Sequence, residues 1–62
     1  MTWQEFQTGT GRMWESSDER WRITKVGHGD FDVLERVDRH TITVRKRNMA
    51  SLDAAIEWIG GK

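Results

Sequence analysis

The chain has 62 residues and 7.3 kDa, enough for one small domain that buries only about 60% of the surface its unfolded form exposes. Ten basic and ten acidic residues cancel, which excludes both a polycationic nucleic-acid coat and a disordered acidic tail. Cysteine is absent, so there is no disulfide staple, no thiolate metal site and no thiol nucleophile.

Residues 1–11 read as a short N-terminal arm and glycine loop, with 12–62 forming the domain proper. In the arm, Trp3 and Phe6 are three apart and could share one face of a helical turn, held only by docking on the body because so short a helix is not stable alone. Met13-Trp14 is a candidate further strand, followed by a turn-like Ser16-Ser17-Asp18-Glu19. From Arg20, Trp21 and Ile23 alternate with Arg22 and Thr24, a strand pattern that stops at Gly27-His28-Gly29-Asp30, a hairpin signal. A second strand runs from Phe31 to about Val37, with Phe31 and Val33 on one face and Leu34 on the other. Asp38-Arg39 lacks the glycine of a tight primed turn, which predicts a looser or bulged connection. In the third strand, His40 to about Arg47, Ile42 and Val44 are expected to face the core, and Thr41, Thr43, Arg45 and Arg47 the solvent.

The period then changes. Ser51 is an N-cap, Asp53 suits the first turn, and Leu52, Ala55, Ile56 and Ile59 form a helical stripe that ends at Gly60-Gly61. Trp58 and Ala54 lie off that stripe. The expected fold is α+β: an antiparallel meander of three strands, with Met13-Trp14 as a candidate fourth, and one C-terminal helix packed on one face. Its expected core is Trp21, Ile23, Phe31, Val33, Ile42, Val44, Leu52, Ala55, Ile56 and Ile59.

Catalysis finds little support. His28 lies in a glycine turn, His40 begins a strand, and the serines are explained by turn and cap roles, so no nucleophile completes a triad and no enzyme is expected. His28, Asp30 and Asp32 form a ligand-like H-x-D-x-D run, but with no second cluster it reads as a polar hairpin tip, and neither a metal nor a cofactor is expected. Gly9-Thr10-Gly11 and Gly27-His28-Gly29 lack the helix and lysine of a phosphate loop. The N-terminus shows no basic region followed by an apolar stretch, and no apolar run is long enough to span a bilayer, which leads to the expectation of a cytoplasmic protein with no membrane partner.

Two features point to binding. Residues 36–48 carry net charge +4 while residues 1–35 carry −3, so Arg45, Lys46 and Arg47, joined by Arg20 and Arg22, define a cationic stripe suited to phosphate contact on the open sheet face. Against this, Glu35 or Asp32 could neutralise the stripe across strands. The tryptophans are the second feature. Trp3, Phe6, Trp14 and Trp58 either form a satellite apolar cluster or serve as interface anchors.

The run Trp21-Arg22-Ile23, a hairpin, Phe31-Asp32-Val33, a basic third strand and Met49-Ala50-Ser51-Leu52-Asp53-Ala54-Ala55 resembles the three-strand-plus-helix domains of AP2 type and the arm-binding domains of phage integrases. That resemblance covers residues 20–59 and implies a sheet that enters the DNA major groove. In size and style the chain is similar to small accessory proteins of bacteriophages, which implies a host or phage protein as partner. With zero net charge and four tryptophans, the leading expectation is a non-catalytic protein-interaction module, self-association included; nucleic-acid binding is the alternative.

Overall fold

The computed structural model describes residues 2–9, 11–26 and 30–61. Five strands and one helix follow in order: β1 (Trp3–Gln7), β2 (Gly11–Ser16), β3 (Trp21–Val26), β4 (Phe31–Asp38), β5 (Thr41–Met49) and α1 (Leu52–Gly60). The strands form one antiparallel sheet in the order β1-β2-β3-β4-β5, so every strand pairs with its neighbours in the chain. The class is α+β, as expected, but the sheet has five strands rather than three or four.

The extra strand comes from the N-terminal arm. Trp3–Gln7 pairs in register with Ser16–Arg12, and the link is closed by Thr8, whose N–H donates to Gly11 O (2.8 Å) and whose Oγ1 accepts from Gly11 N (2.9 Å). Pairing with β2 satisfies backbone groups that an isolated helical turn would leave open. In a strand the period is 2, so Trp3 and Phe6, three apart, fall on opposite faces rather than together. Trp3 packs against the core, while Phe6 pairs with Met13 on the other side of the sheet.

The central strands alternate as their sequence predicts. Trp14, Ile23 and Val33 are register partners across β2, β3 and β4, and together with Trp21 they form the sheet's contribution to the core. Ile23 and Val33 are fully buried. From above, α1 seats Ala55 and Ile59, with Leu52, Ile56 and Trp58 partly buried around them, and it contacts β3, β4 and β5. Ser51 caps the helix as expected, its Oγ accepting from Ala54 N at 3.0 Å.

The β2–β3 turn is fixed by Ser16, itself buried. Its Oγ donates to Asp18 Oδ1 and accepts from Trp21 N (3.0 Å), and Glu19 takes a left-handed backbone, φ 61°. The glycine connection expected at 27–30 lies, over residues 27–29, outside the described residues; so does His28, and with it the first member of the H-x-D-x-D run.

The β4–β5 pairing departs from expectation. Its turn, Arg39-His40, is preceded by a bulge at Val37, the irregular connection that the missing glycine predicts. Two further register shifts lie between Phe31 and Leu34, where β5 carries the surplus residues. Ile42 and Val44 do not join the core. They pair with Arg36 and Leu34, whose side chains lie on the face away from α1, and they are 42% and 39% exposed. The residue of β5 that reaches the core is Met49. Alternation correctly grouped Ile42 with Val44, but it cannot say which side of the strand the helix covers.

Candidate functional site

One face of the sheet is buried under α1 and the other has no cover among the described residues. The uncovered face is built from alternate residues of five strands. One row crosses it as Gln4, Glu15, Arg22, Leu34 and Val44; a second runs Phe6, Met13, Thr24 and Asp32; Arg36 and Ile42 pair at the end toward the β4–β5 turn. Apolar groups therefore gather at two places: Phe6 with Met13 on β1–β2, and Leu34, Ile42 and Val44 on β4–β5. Val37, at the bulge beside them, is 53% exposed. Among the described residues, Val37, Ile42 and Val44 are the exposed large aliphatic side chains, and all three come from β4–β5.

The arginines of the cationic stripe are held by carboxylates. Arg22 Nη2 donates to Glu15 Oε2 at 3.0 Å, and Arg36 Nη2 lies 3.9 Å from the same oxygen. Arg47 Nη1 lies 3.7 Å from Asp32 Oδ2, and the other oxygen of Asp32 accepts from Asn48 N at 3.3 Å. Arg20 and Arg45 converge on Glu35: Arg20 donates from Nε to Oε2 at 2.7 Å, with its Nη2 also 2.7 Å from that oxygen, and Arg45 donates from Nε to Oε1 at 2.9 Å. These bonds favour the ionised carboxylate, so Glu35 is held below its ordinary range, with the Arg20 hydrogen bond the leading cause. Arg20 also lies over the Trp21 ring, 5.5 Å from its centroid.

The five basic residues named from sequence thus do not make one open stripe. Arg22 lies on the uncovered face. Arg20 and Arg45 turn to the helix side, where with Trp21, Glu35 and Trp58 they line a groove of about 300 Å³. Lys46 is exposed on β5. Cross-strand neutralisation by Glu35 and Asp32, the competing expectation, describes this arrangement.

The aromatic candidates also separate. Trp14 is buried, its ring 5.6 Å from Phe31 and its indole N–H donating to Glu5 Oε1 at 3.2 Å. Trp3 is half-buried against the core. Trp58 sits on the flank of the helical stripe and meets Trp21 edge-to-face at 6.3 Å. Phe6 is half-buried on the uncovered face. Trp3, Trp14 and Trp58 thus belong to or pack against the one core under α1, while Phe6 lies on the opposite face, so the four do not form one exposed aromatic patch. What sequence reasoning missed is the aliphatic cluster of Leu34, Val37, Ile42 and Val44. Its signal was present as apolar residues on both parities of β4, since Val33 and Leu34 cannot both face the helix.

Among the described residues no group of three or more His, Asp or Glu side chains is arranged to hold a metal ion. No helix is long and apolar enough to cross a membrane. No protein-family model, curated protein or solved structure matches the chain.

Proposed function

We propose that this chain is a non-catalytic protein-interaction module whose contact surface is the uncovered sheet face at β4–β5. The observation that carries the reading is the exposure of Ile42 and Val44 beside Leu34 on a sheet face that has no cover among the described residues, with exposed Val37 at the adjoining bulge. Burying an exposed Val or Ile side chain contributes on the order of 1–2 kcal/mol, so a partner gains most by covering this corner. Arg22 and Arg36 border it, and arginine beside apolar groups suits a protein interface.

Nucleic-acid binding draws less support. Arg20, Arg22, Arg45 and Arg47 each have a carboxylate within 3.7 Å, so a phosphate would have to displace Glu35, Glu15 or Asp32 to reach them. Two measurements separate the readings. Cross-linking to a partner protein should be lost in I42D/V44D and kept in R45A/R47A. Titration against random-sequence duplex DNA over a salt series should show no steep salt dependence; a steep dependence abolished by R45A/R47A would overturn the proposal in favour of phosphate contact.

A further inference from the structure

We infer that β5 is a dimerisation edge, pairing antiparallel with β5 of a second copy about a two-fold axis at Thr43. This deepens the interaction reading and rests on it, because the same residues are used and the partner is specified as the chain itself.

Four observations carry the inference. First, β5 is the longest of the described strands, nine residues, and it ends the sheet, so among the described residues β4 is its one strand neighbour and its outer rim of backbone N–H and C=O groups is not taken up by another strand. Second, its segment Ile42–Val44 is regular: it pairs one-to-one with Leu34–Arg36, and the bulges lie on either side of it. A regularly paired, β-branched stretch such as Ile42-Thr43-Val44 is a form of edge that can accept another strand. Third, the charges that ordinarily blunt an edge are drawn inward. Arg45 is held on Glu35 and Arg47 lies against Asp32, both carboxylates of β4, so two of the three consecutive cations of the strand are turned to its inner neighbour.

The fourth observation selects a second copy over an unrelated strand. Directly opposed residues of an antiparallel pair share a face, so the axis must pass through a residue that faces itself. With Thr43 on the axis, Ile42 lies opposite the partner's Val44, and Val44 opposite the partner's Ile42. Two aliphatic cross-strand pairs then form on the uncovered face, in line with Leu34 of each copy, and Thr41 meets the partner's Arg45 at the ends. The strand is therefore self-complementary in one register. The other sheet edge, β1, carries Gln4, Glu5, Phe6 and Gln7, with no second apolar residue two positions from Phe6 to make such a match. Zero net charge means that two copies do not repel at long range.

The absence of native cysteine makes the register testable on the intact chain. Under mild oxidation T43C should give a disulfide-linked dimer, because the introduced thiols face each other across the axis at a Cα separation of about 4.5–5.5 Å, within disulfide range. T41C should not, since it faces position 45 of the partner. By sedimentation, the mass of the unmodified chain should rise above 7.3 kDa toward twice that value with concentration. I42K/V44K sets like charges opposite one another and should weaken association about tenfold or more, whereas I42E/V44K sets opposite charges across the same pairs and should recover it. Circular dichroism should be unchanged in both variants, because both positions are solvent-exposed in the monomer. A monomer at every concentration, equal cross-linking by T43C and T41C, or equal loss in the two charge variants overturns the inference. Capture of a partner protein that I42D/V44D loses would still uphold the interaction reading, so the two ideas fail separately.

Discussion

The middle of the sheet and its β5 margin obey the same pairing rules with different outcomes. Across β2, β3 and β4 the register advances residue for residue, and every second side chain goes under the helix. Across β4 and β5 it shifts three times, and the alternating aliphatic residues of β5 come out on the opposite side. The difference lies in what fixes each strand. The centre is fixed by burial, since Ile23 and Val33 have no exposed surface and a slip by one residue would place Arg22 or Asp32 in the core. The margin is fixed at its two ends, by Met49 in the core and by the Asp38–Thr41 connection, and the bulges between absorb the mismatch in length.

The largest effect that can break this contrast is truncation at the centre. Ile23→Ala should cost about 2–5 kcal/mol, a large part of the roughly 3–9 kcal/mol expected for a domain of this size, and should leave much of the chain unfolded at 25 °C. At protein concentrations low enough to keep the chain monomeric, Ile42→Ala and Val44→Ala should each stay within about 0.5 kcal/mol, since neither residue is in the core. Urea titration followed by tryptophan fluorescence reads both. A large cost at Ile42 would mean that the margin, too, is fixed by burial.

Ser16→Ala is next. It removes the acceptor of the Trp21 N–H and the donor to Asp18 in a buried turn, with an expected cost of about 1–3 kcal/mol. Ser51→Ala, which removes the exposed helix cap, should cost about 1 kcal/mol. Thermal unfolding followed by circular dichroism should rank the two in that order.

The third test is pH. Glu35, Asp18 and Asp38 all titrate below their ordinary values: Glu35 through the Arg20 hydrogen bond, Asp18 through the Ser16 hydroxyl, and Asp38 through the His40 backbone N–H. A carboxylate with a lowered folded-state pKa adds stability that is complete above its unfolded value and is lost as pH falls through the folded one. Stability should therefore be level above about pH 5 and decline as pH drops below the ordinary 4.5 of Glu35 and then the ordinary 3.8 of Asp18 and Asp38. Urea midpoints measured at successive pH values should show a shallower decline in Glu35→Gln. An unchanged slope would remove the Arg20–Glu35–Arg45 cluster from the account.

The smallest effect concerns the two left-handed residues, one in each region: Glu19 (φ 61°) in the β2–β3 turn and Asn48 (φ 63°) near the end of β5. Glu19→Gly should stabilise by roughly 0.5 kcal/mol, because relief of the strained backbone outweighs the added chain entropy. Asn48→Gly should change less, since asparagine tolerates that conformation. Differences in thermal midpoint check both.

Much of this architecture was legible in the sequence, for identifiable reasons. Trp21-x-Ile23 and Phe31-x-Val33 alternate cleanly, and Ser51 followed by Leu52, Ala55, Ile56 and Ile59 carries both cap and stripe. β1 was not legible as a strand because Trp3 and Phe6 fit a helical spacing; the hairpin signal lay instead in the glycine-bearing Thr8–Gly11 turn between two segments that each hold a tryptophan. The β4–β5 cluster was hidden for another reason. Alternation along one strand leaves a two-fold ambiguity of facing, which Met49 and the surplus residues of β5 resolve only in three dimensions. The carboxylate partners of the arginines were foreseeable as types, Glu35 and Asp32, but not as the pairing that splits the basic stripe between two faces.

The strand order repeats the chain order, and that has a kinetic consequence. Every hairpin joins segments adjacent in sequence, so the loop-closure entropy for each is small, and assembly can proceed by accretion from the Trp14–Ile23–Val33 row outward. With no proline in the chain, no prolyl isomerisation delays any fraction of the molecules. Refolding from urea should follow one fast exponential, and the edge strands should be the first to exchange their amide hydrogens afterwards.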